Sequence, residues 1–166
     1  CLPHNQGQEV LRQFLADAAD AAASRWQSMD QGIWEVRGAP RHYLHSKLMC
    51  WVAVDRAIGL AGVLSAEDRV PRWEQTRAQL ADSIRMNGWN ETANAYTQAY
   101  GSEDLDASVL MLSIVGFVPA DDPRMLATVA AIDARPPHSP GLVSRYPGGA
   151  GPARPPSIWC RRAPVP

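Results

Sequence analysis

A carboxylate beside an indole is the strongest chemical feature of this sequence. Glu35 follows Trp34 in a stretch bracketed by Gly32 and Gly38, and glycines let a backbone turn tightly. An aromatic neighbour that excludes water raises the pKa of a carboxyl group, which can then hold a proton near neutral pH as a general acid. Arg37 would lower that pKa if it lay close, because a cation favours the ionised form. A surface ion pair between Glu35 and Arg37 is the alternative interpretation.

A second polar stretch supplies flat side chains with polar rims. It contains three aromatic residues and two amides: Trp89, Tyr96, Tyr100, Asn90 and Gln98. Such groups suit a neutral polyhydroxylated ligand such as a sugar, whose C–H faces stack on rings while its hydroxyls form hydrogen bonds. Alternatively, the two tyrosines pack onto helix ends, and Glu103 and Asp104 favour a helix N-terminus.

Other reactive residue types are isolated. His42 and His45 are three positions apart, but no third ligand follows at a suitable spacing, so we expect no metal. Cys50 lies in the most apolar segment and is expected to be a small core residue. The sequence has neither a glycine-rich phosphate motif nor a nucleophile elbow, and we expect no cofactor.

Composition excludes several classes of partner. The chain has 166 residues, with 16 Lys and Arg against 17 Asp and Glu, so it lacks the surplus of positive charge expected of a nucleic-acid or membrane-surface binder. No stretch approaches the about 18 apolar residues of a membrane span. The three scattered cysteines form no CxxC pair, which favours a reducing, cytoplasmic location.

Hydrophobic periodicity predicts five helices. The first (about Gln8 to Trp26) has one apolar stripe, and the second (Leu44 to Leu64) is apolar on most sides. The third begins near Ser65 as N-cap and is bent or restarted by Pro71. The fourth starts after Ser102, is apolar nearly all round and continues to Val115, and the fifth begins with Asp122 as cap and Pro123 in the first turn. The predicted stripe of the first helix comprises Leu11, Phe14, Leu15, Ala18 and Ala22, that of the third Val70, Trp73, Leu80 and Ile84, and that of the fifth Met125, Val129 and Ile132.

This alternation of amphipathic and buried helices indicates an all-α fold with an outer and an inner ring, as in an α/α toroid of helical hairpins. An irregular helical bundle is the alternative that periodicity leaves open. In the toroid, the first loop (residues 27–43) and the second loop (residues 87–104) both run from an outer to an inner helix. They are therefore expected to emerge at the same end.

Both ends of the chain differ from its middle. The chain begins with Cys1 and not with Met, and no secretory signal segment precedes its first polar run, so we expect a start inside a longer protein. Residues 136–166 hold 9 of the 14 prolines and 4 of the 12 glycines. That composition predicts no helix there, and we expect a disordered or aberrant tail after a domain of residues 1–135.

Several blocks of the sequence resemble bacterial members of glycoside hydrolase family 15, the glucoamylase and trehalase type enzymes. The blocks are residues 30–38 (DQGIWEVRG), 45–57 (HSKLMCWVAVDRA), 96–102 (YTQAYGS), 105–108 (LDAS) and 115–124 (VGFVPADDPR). They occur in the family's order and span about residues 10 to 146. The resemblance implies a partial (α/α)6 barrel.

The resemblance also implies an activity, the inverting hydrolysis of α-glucosidic bonds in trehalose, maltooligosaccharides or a related glucoside. The family's general acid corresponds to Glu35. Asp30, Trp34 and Arg37 would line the site of the terminal glucose, and Trp89, Tyr96 and Tyr100 are our further candidates for substrate contact.

The chain also departs from the family. It supplies only about five of the barrel's helices, and we find no later Glu block that could serve as the base. Asp104 and Asp106 are candidates within the chain, but they match family-like text that we associate with structure or substrate contact. We therefore expect a fragment that is inactive alone. A non-catalytic helical-hairpin binding or scaffold module is the alternative function.

Overall fold

The computed structural model describes residues 4–35, 38–134, 142–144 and 158–160. Its helices are α1 (His4–Arg25), α2 (Leu44–Gly59), α3 (Ala61–Leu64), α4 (Val70–Asn87), α5 (Met111–Ile114) and α6 (Pro123–Asp133). Two 3₁₀ turns, η1 (Glu67–Arg69) and η2 (Ala107–Leu110), precede α4 and α5. The strands β1 (Trp89–Asn90) and β2 (Ala95–Tyr96) form one short antiparallel pair, and β3 (Leu142–Ser144) and β4 (Ile158–Cys160) form another.

Helix α2 lies between α1 and α4. One core cluster joins α1, α2 and α4 through Ala16, Ala19, Val54 and Trp73. The other joins α2 and α4 to η2, α5 and α6, and includes Leu44, Leu48, Ile84, Val109, Leu112 and Met125. The predicted burial of α2 holds on these faces, whereas Met49 to Ala53 are half-buried.

The third predicted helix is confirmed, with a corrected start. Trp73, Leu80 and Ile84 are fully buried along one stripe of α4, and Pro71 lies in its first turn, where proline costs no hydrogen bond. Ser65 is not an N-cap. It ends α3 in the left-handed conformation, with φ of 54°, and the chain restarts through η1.

The fourth predicted helix is much shorter than its apolar run. Only η2 and the four residues of α5 are helical between Ser102 and Val115. A glycine motif closes α5: Gly116 adopts φ of 81°, its N–H donates to Ser113, and the Phe117 N–H donates to Leu112. This is a Schellman arrangement, which satisfies the last carbonyls of a helix.

The predicted apolar stripe of α1 is wrong. Leu11, Phe14 and Leu15 are 56, 65 and 42 % exposed, whereas Ala16 and Ala19 are 1 and 2 % exposed. The alanine side chains let α1 approach α2 closely. On the same side, the Asp20 carboxylate accepts a hydrogen bond from the Trp73 indole at 2.9 Å. The face that packs is therefore the one with small residues and a paired carboxylate.

The start of the fifth predicted helix is confirmed, and its stripe is corrected at one position. The Asp122 carboxylate caps α6 by accepting bonds from the backbone N–H groups of Arg124 and Met125. Met125 is buried, but Val129 is 47 % exposed and Thr128 is fully buried in its place. Thr128 Oγ1 accepts a bond from the Tyr96 N–H of β2, which ties α6 to the second loop.

Strands β3 and β4 are the described parts of the predicted tail, and the remainder of residues 136–166 lies outside the described residues. Within the described part of the chain, no helix is both long and apolar enough to cross a membrane.

Candidate active site

The first and second loops meet at one end of the helices, as the toroid predicts. The N–H of Leu44 donates to the Gln98 carbonyl at 3.0 Å, and the N–H of Tyr100 donates to the His42 carbonyl at 2.9 Å. Tyr43 and Ala99 form a bridge between these two bonds. The start of α2 is therefore joined to the second loop by backbone hydrogen bonds, which place the first loop beside it.

A tight turn presents Glu35. The Glu35 N–H donates to the Gly32 carbonyl at 3.2 Å, and both residues have positive φ, 47° at Glu35 and 69° at Gly32. A Cβ at position 32 would lie 2.9 Å from the buried ring of Tyr43, so only glycine fits there. The Glu35 side chain is exposed in this turn, so the prediction that Trp34 excludes water from its carboxyl group is wrong.

Asp30 fixes the beginning of the turn. Its Oδ1 accepts hydrogen bonds from the Gly32 N–H at 2.6 Å and from the Ser46 hydroxyl of α2 at 2.8 Å. Backbone bonds in both directions join Asp30 to Arg41 across the first loop. The base of the loop is thus closed by its own backbone and attached to the first turn of α2.

The Trp34 side chain is fixed by Asp106, the N-cap residue of η2. Its indole N–H donates to Asp106 Oδ2 at 2.7 Å, and the Gln98 amide donates to the same oxygen at 3.0 Å. Asp106 is only 2 % exposed. The structure therefore brings Asp30, Trp34 and Glu35 together and adds Asp106, a residue absent from the predicted site. Its signal in the sequence is an N-cap aspartate before Ala-Ser in one of the family-like blocks.

Two further predicted contacts, Trp89 and Tyr96, pack against each other. Tyr96 is 2 % exposed and packs in the core, with its ring edge-to-face against Trp89 at 5.5 Å. The Arg124 guanidinium lies over the Trp89 ring at 5.1 Å. Contact of either ring with a sugar stays a prediction. Arg37 lies outside the described residues.

Tyr100 lies where the first and second loops are joined, because its backbone N–H donates to the His42 carbonyl. Its ring is half-buried and lies 6.0 Å from that of His42, and its hydroxyl is 3.3 Å from the Ser83 hydroxyl of α4. Burial raises the pKa of the Tyr100 phenol, and the Ser83 hydrogen bond opposes that shift. Tyr100 is therefore a neutral hydrogen-bonding group.

Buried ionisable groups support the first loop from α2. The Lys47 ammonium is buried and donates to the carbonyls of Trp26 and Ser28 just beyond α1. Burial lowers its pKa, while Asp30 and Cys50 act in the opposite direction. Burial likewise raises the pKa of the Cys50 thiol, which disfavours the reactive thiolate, although Cys50 is half-buried and not the core residue that was predicted. The Lys47 bonds therefore anchor the start of the first loop, and Glu35 is an exposed acid in that loop.

Solved structures identify the class of protein that this fold represents. A wild-type glycosidase superposes with a TM-score of 0.66 at 20 % identity, over 78 % of this chain and 34 % of that chain. A variant of a glycosidase in complex with glucose gives the same values. The likeness shows the fold, and the predicted partial (α/α)6 architecture is confirmed.

Sequence comparison then identifies the family. Residues 7–148 match the model of Glycosyl hydrolases family 15, and this chain belongs to that family. It is 39 % identical over 138 residues to a trehalase of Mycolicibacterium smegmatis and 40 % identical to one of Mycobacterium tuberculosis, in each case over 83 % of this chain and 20 % of the relative. A trehalase of Thermoplasma acidophilum is 36 % identical over 75 % of this chain and 22 % of the relative. The chain thus spans about a fifth of the length of these relatives.

Proposed function

We propose that this chain carries the general-acid part of an active site that hydrolyses an α-glucosidic bond, with trehalose as the substrate. The observation that carries the proposal is the turn of the first loop, where exposed Glu35 directly follows an indole that is fixed by a buried carboxylate. Membership of a glycosyl hydrolase family and the similarity to trehalases support it.

In the proposed mechanism, Glu35 donates a proton to the glycosidic oxygen as the bond to the anomeric carbon breaks. Water attacks that carbon from the opposite face, which inverts its configuration. A second carboxylate removes the proton from the water, and inversion needs the two carboxyl groups about 6.5 to 9.5 Å apart so that the water fits between them. The departing glucose takes the proton from Glu35.

The neighbouring carboxylates are already engaged in holding the loops. Asp106 accepts three hydrogen bonds, from Trp34, Gln98 and the Ser108 N–H. Asp30 accepts two on Oδ1, and Asp104 accepts one from the Ser102 hydroxyl. A general base must present an oxygen to the attacking water, and the hydrogen bonds of Asp106 hold both of its oxygens toward the protein. We therefore propose that the base comes from outside these 166 residues.

Asp30 and Trp34 are the proposed contacts of the terminal glucose, and Arg37 and Tyr100 are proposed as further contacts. Gly32 and Ser46 both donate to Oδ1 of Asp30, and Oδ2 is the oxygen that we assign to a sugar hydroxyl. The Trp34 ring, fixed by its N–H, offers a flat face for stacking. A cytoplasmic location is also proposed, because the scattered cysteines suit a reducing compartment.

The test uses two proteins. The 166-residue chain alone should release no glucose from trehalose, maltose or starch, and robust release would refute the proposal that the base lies elsewhere. In the second protein, residues 7–134 replace the matching segment of the Mycolicibacterium smegmatis trehalase. This chimera should hydrolyse trehalose.

Glu35→Gln in the chimera should lower kcat for trehalose by about 10² to 10⁴, the usual contribution of a general acid. The loss should be much smaller for α-glucosyl fluoride, because fluoride departs without full protonation. Asp133→Asn, at the end of α6, is the control outside the loops. Equal losses on both substrates would contradict the role of Glu35 as the acid.

A binding or scaffold module is the second candidate, and one observation favours it. Helix α1 exposes four large apolar side chains, Val10, Leu11, Phe14 and Leu15, and exposed apolar patches mark interaction sites. An inactive chimera, together with self-association of the 166-residue chain that Phe14→Ser abolishes, would favour the module over the enzyme.

A further inference from the structure

We propose that Asp106 is a positioning residue for this reaction: its buried carboxylate fixes the Trp34 indole and thereby the direction in which Glu35 points. The inference rests on the function proposed above. It concerns a residue that lies 72 positions along the chain from Trp34 and that has no contact with substrate in the proposed mechanism.

The two oxygens of Asp106 hold different parts of the chain. Oδ1 accepts from the Ser108 N–H at 2.7 Å, which caps η2. Oδ2 accepts from the Trp34 indole at 2.7 Å and from the Gln98 amide at 3.0 Å. Hydrogen bonds to an ionised acceptor are shorter and stronger than neutral ones, and at 2 % exposure no water competes freely for them.

This arrangement requires an acid and not its amide. In an asparagine, one of the two oxygens becomes an NH₂ group, which would face an N–H donor on whichever side it lay. With the NH₂ group toward Trp34, the indole bond would be lost. With the NH₂ group toward Ser108, the cap of η2 would be lost and the Trp34 N–H would bond to a neutral oxygen, which is a weaker acceptor. The Trp34 bond is therefore weakened in both orientations. Asp106→Asn is therefore nearly isosteric, yet it removes one of the two attachments.

The backbone at Glu35 has a positive φ of 47°. A non-glycine residue with positive φ is strained and keeps that conformation only where its surroundings enforce it. The Gly32 carbonyl holds the Glu35 N–H on one side. On the other side, the indole bond of the preceding residue, Trp34, anchors the turn to Asp106 at the start of η2. Without Asp106, Glu35 could relax to an ordinary φ and carry its carboxyl group away from the scissile bond.

A spectroscopic test uses the full 166-residue chain and does not depend on activity. The chain has six tryptophans, and Trp34→Phe assigns the Trp34 indole N–H in a ¹⁵N-resolved spectrum. Asp106→Asn should shift that resonance and accelerate its exchange with solvent at least about tenfold, as a hydrogen bond worth about one tenfold step in equilibrium is lost. An unchanged Trp34 signal would overturn the proposal whatever the function is.

Asp20→Asn is the matched control. Asp20 is also a carboxylate that accepts an indole N–H, that of Trp73 at 2.9 Å, but its partners Trp73 and Arg69 lie in α4 and η1 and not in the joined loops. This variant should move the Trp73 signal and leave that of Trp34 in place. A shift of the Trp34 signal in Asp20→Asn would show a general structural effect and would overturn the specific role of Asp106.

A kinetic test uses the active chimera. Misplacing a catalytic group by about 1 Å can cost about 100-fold, so Asp106→Asn should lower kcat for trehalose by about that factor with little change in KM. The loss on α-glucosyl fluoride should be clearly smaller. Asp20→Asn should lower thermal stability and leave the ratio of kcat values on the two substrates unchanged.

The outcomes separate the two proposals. In the first case, the parent chimera hydrolyses trehalose and Glu35→Gln shows the acid signature, a larger loss of kcat on trehalose than on α-glucosyl fluoride. If Asp106→Asn then lowers kcat equally on both substrates, the positioning role is overturned and the function stands. If Glu35→Gln lacks the acid signature, the function itself fails. Gln98→Met is a second variant, for use if Asp106→Asn does not fold. It removes one donor to Asp106 and leaves Trp34 in place. We expect a small loss of kcat that is larger on trehalose than on α-glucosyl fluoride.

Discussion

Substitution of Gly32 tests whether the turn that presents Glu35 is as constrained as its geometry indicates. Gly32 has φ of 69°, and an added Cβ would lie 2.9 Å from both Cγ and Cδ1 of the Tyr43 ring. That ring is 5 % exposed and its backbone is paired with Ala99, so it cannot move aside freely. Gly32→Ala therefore meets two penalties at once.

The expected destabilisation by Gly32→Ala is the sum of the backbone penalty and the packing penalty. A side chain in the left-handed region costs about 1 to 2 kcal/mol, and overpacking a buried ring costs about 1 to 3 kcal/mol. Gly101 is the matched control, because it has φ of 70° and nothing within 4 Å of an added Cβ. Gly101→Ala should lose only the backbone contribution, so Gly32→Ala should be the less stable of the two by about 1 to 3 kcal/mol.

The assay is urea unfolding of the 166-residue chain followed by far-UV circular dichroism, with thermal unfolding as a second measurement. For a chain of this length, the difference between the two variants corresponds to roughly 2 to 4 °C in Tm for each kcal/mol. Tyr43→Leu should reduce the penalty of Gly32→Ala in a double-mutant cycle, because it removes the ring that the methyl group meets. Equal destabilisation by the two alanine variants would refute the packing argument.

Three further predictions address charge, capping and the face of α1. Burial lowers the pKa of His45 below 6.5, with Asp106 and Asp30 opposing the shift; the unfolded chain then binds more protons just below pH 6.5, so the free energy of unfolding should fall as the pH drops through that range. His45→Gln should flatten this dependence in unfolding measured from pH 5 to 8, and an unchanged slope would contradict it. Asp122→Ala should cost about 0.5 to 2 kcal/mol in urea unfolding through loss of the α6 cap, whereas exposed Asp121→Ala should be nearly neutral, and equal effects would argue against the cap. Ala16→Leu should destabilise by about 1 to 3 kcal/mol through overpacking while Phe14→Ser, on the exposed face, changes stability by less than about 0.5 kcal/mol; the reverse order would restore the stripe predicted from periodicity.

Features that depend on a few neighbouring residues could be predicted from the sequence. The Asp122 cap, the restart of a helix at Pro71 and the buried stripe of α4 all follow from local hydrogen bonding and from the helical repeat. The order of the family-like blocks predicted the fold, and the toroid predicted that the first and second loops share one end. Each of these depends on contacts within one helical turn or on the connectivity of successive helices.

The tertiary structure alone decided which face of α1 packs, because both the large apolar stripe and the alanine side chains were compatible with burial, and the fit against α2 and the Asp20–Trp73 pair selected the second. It also decided that Asp106 meets Trp34, since a hydrogen bond across 72 residues leaves no periodic trace in the chain. Sequence patterns record what each segment prefers by itself, whereas a site is formed by the partner that another segment provides.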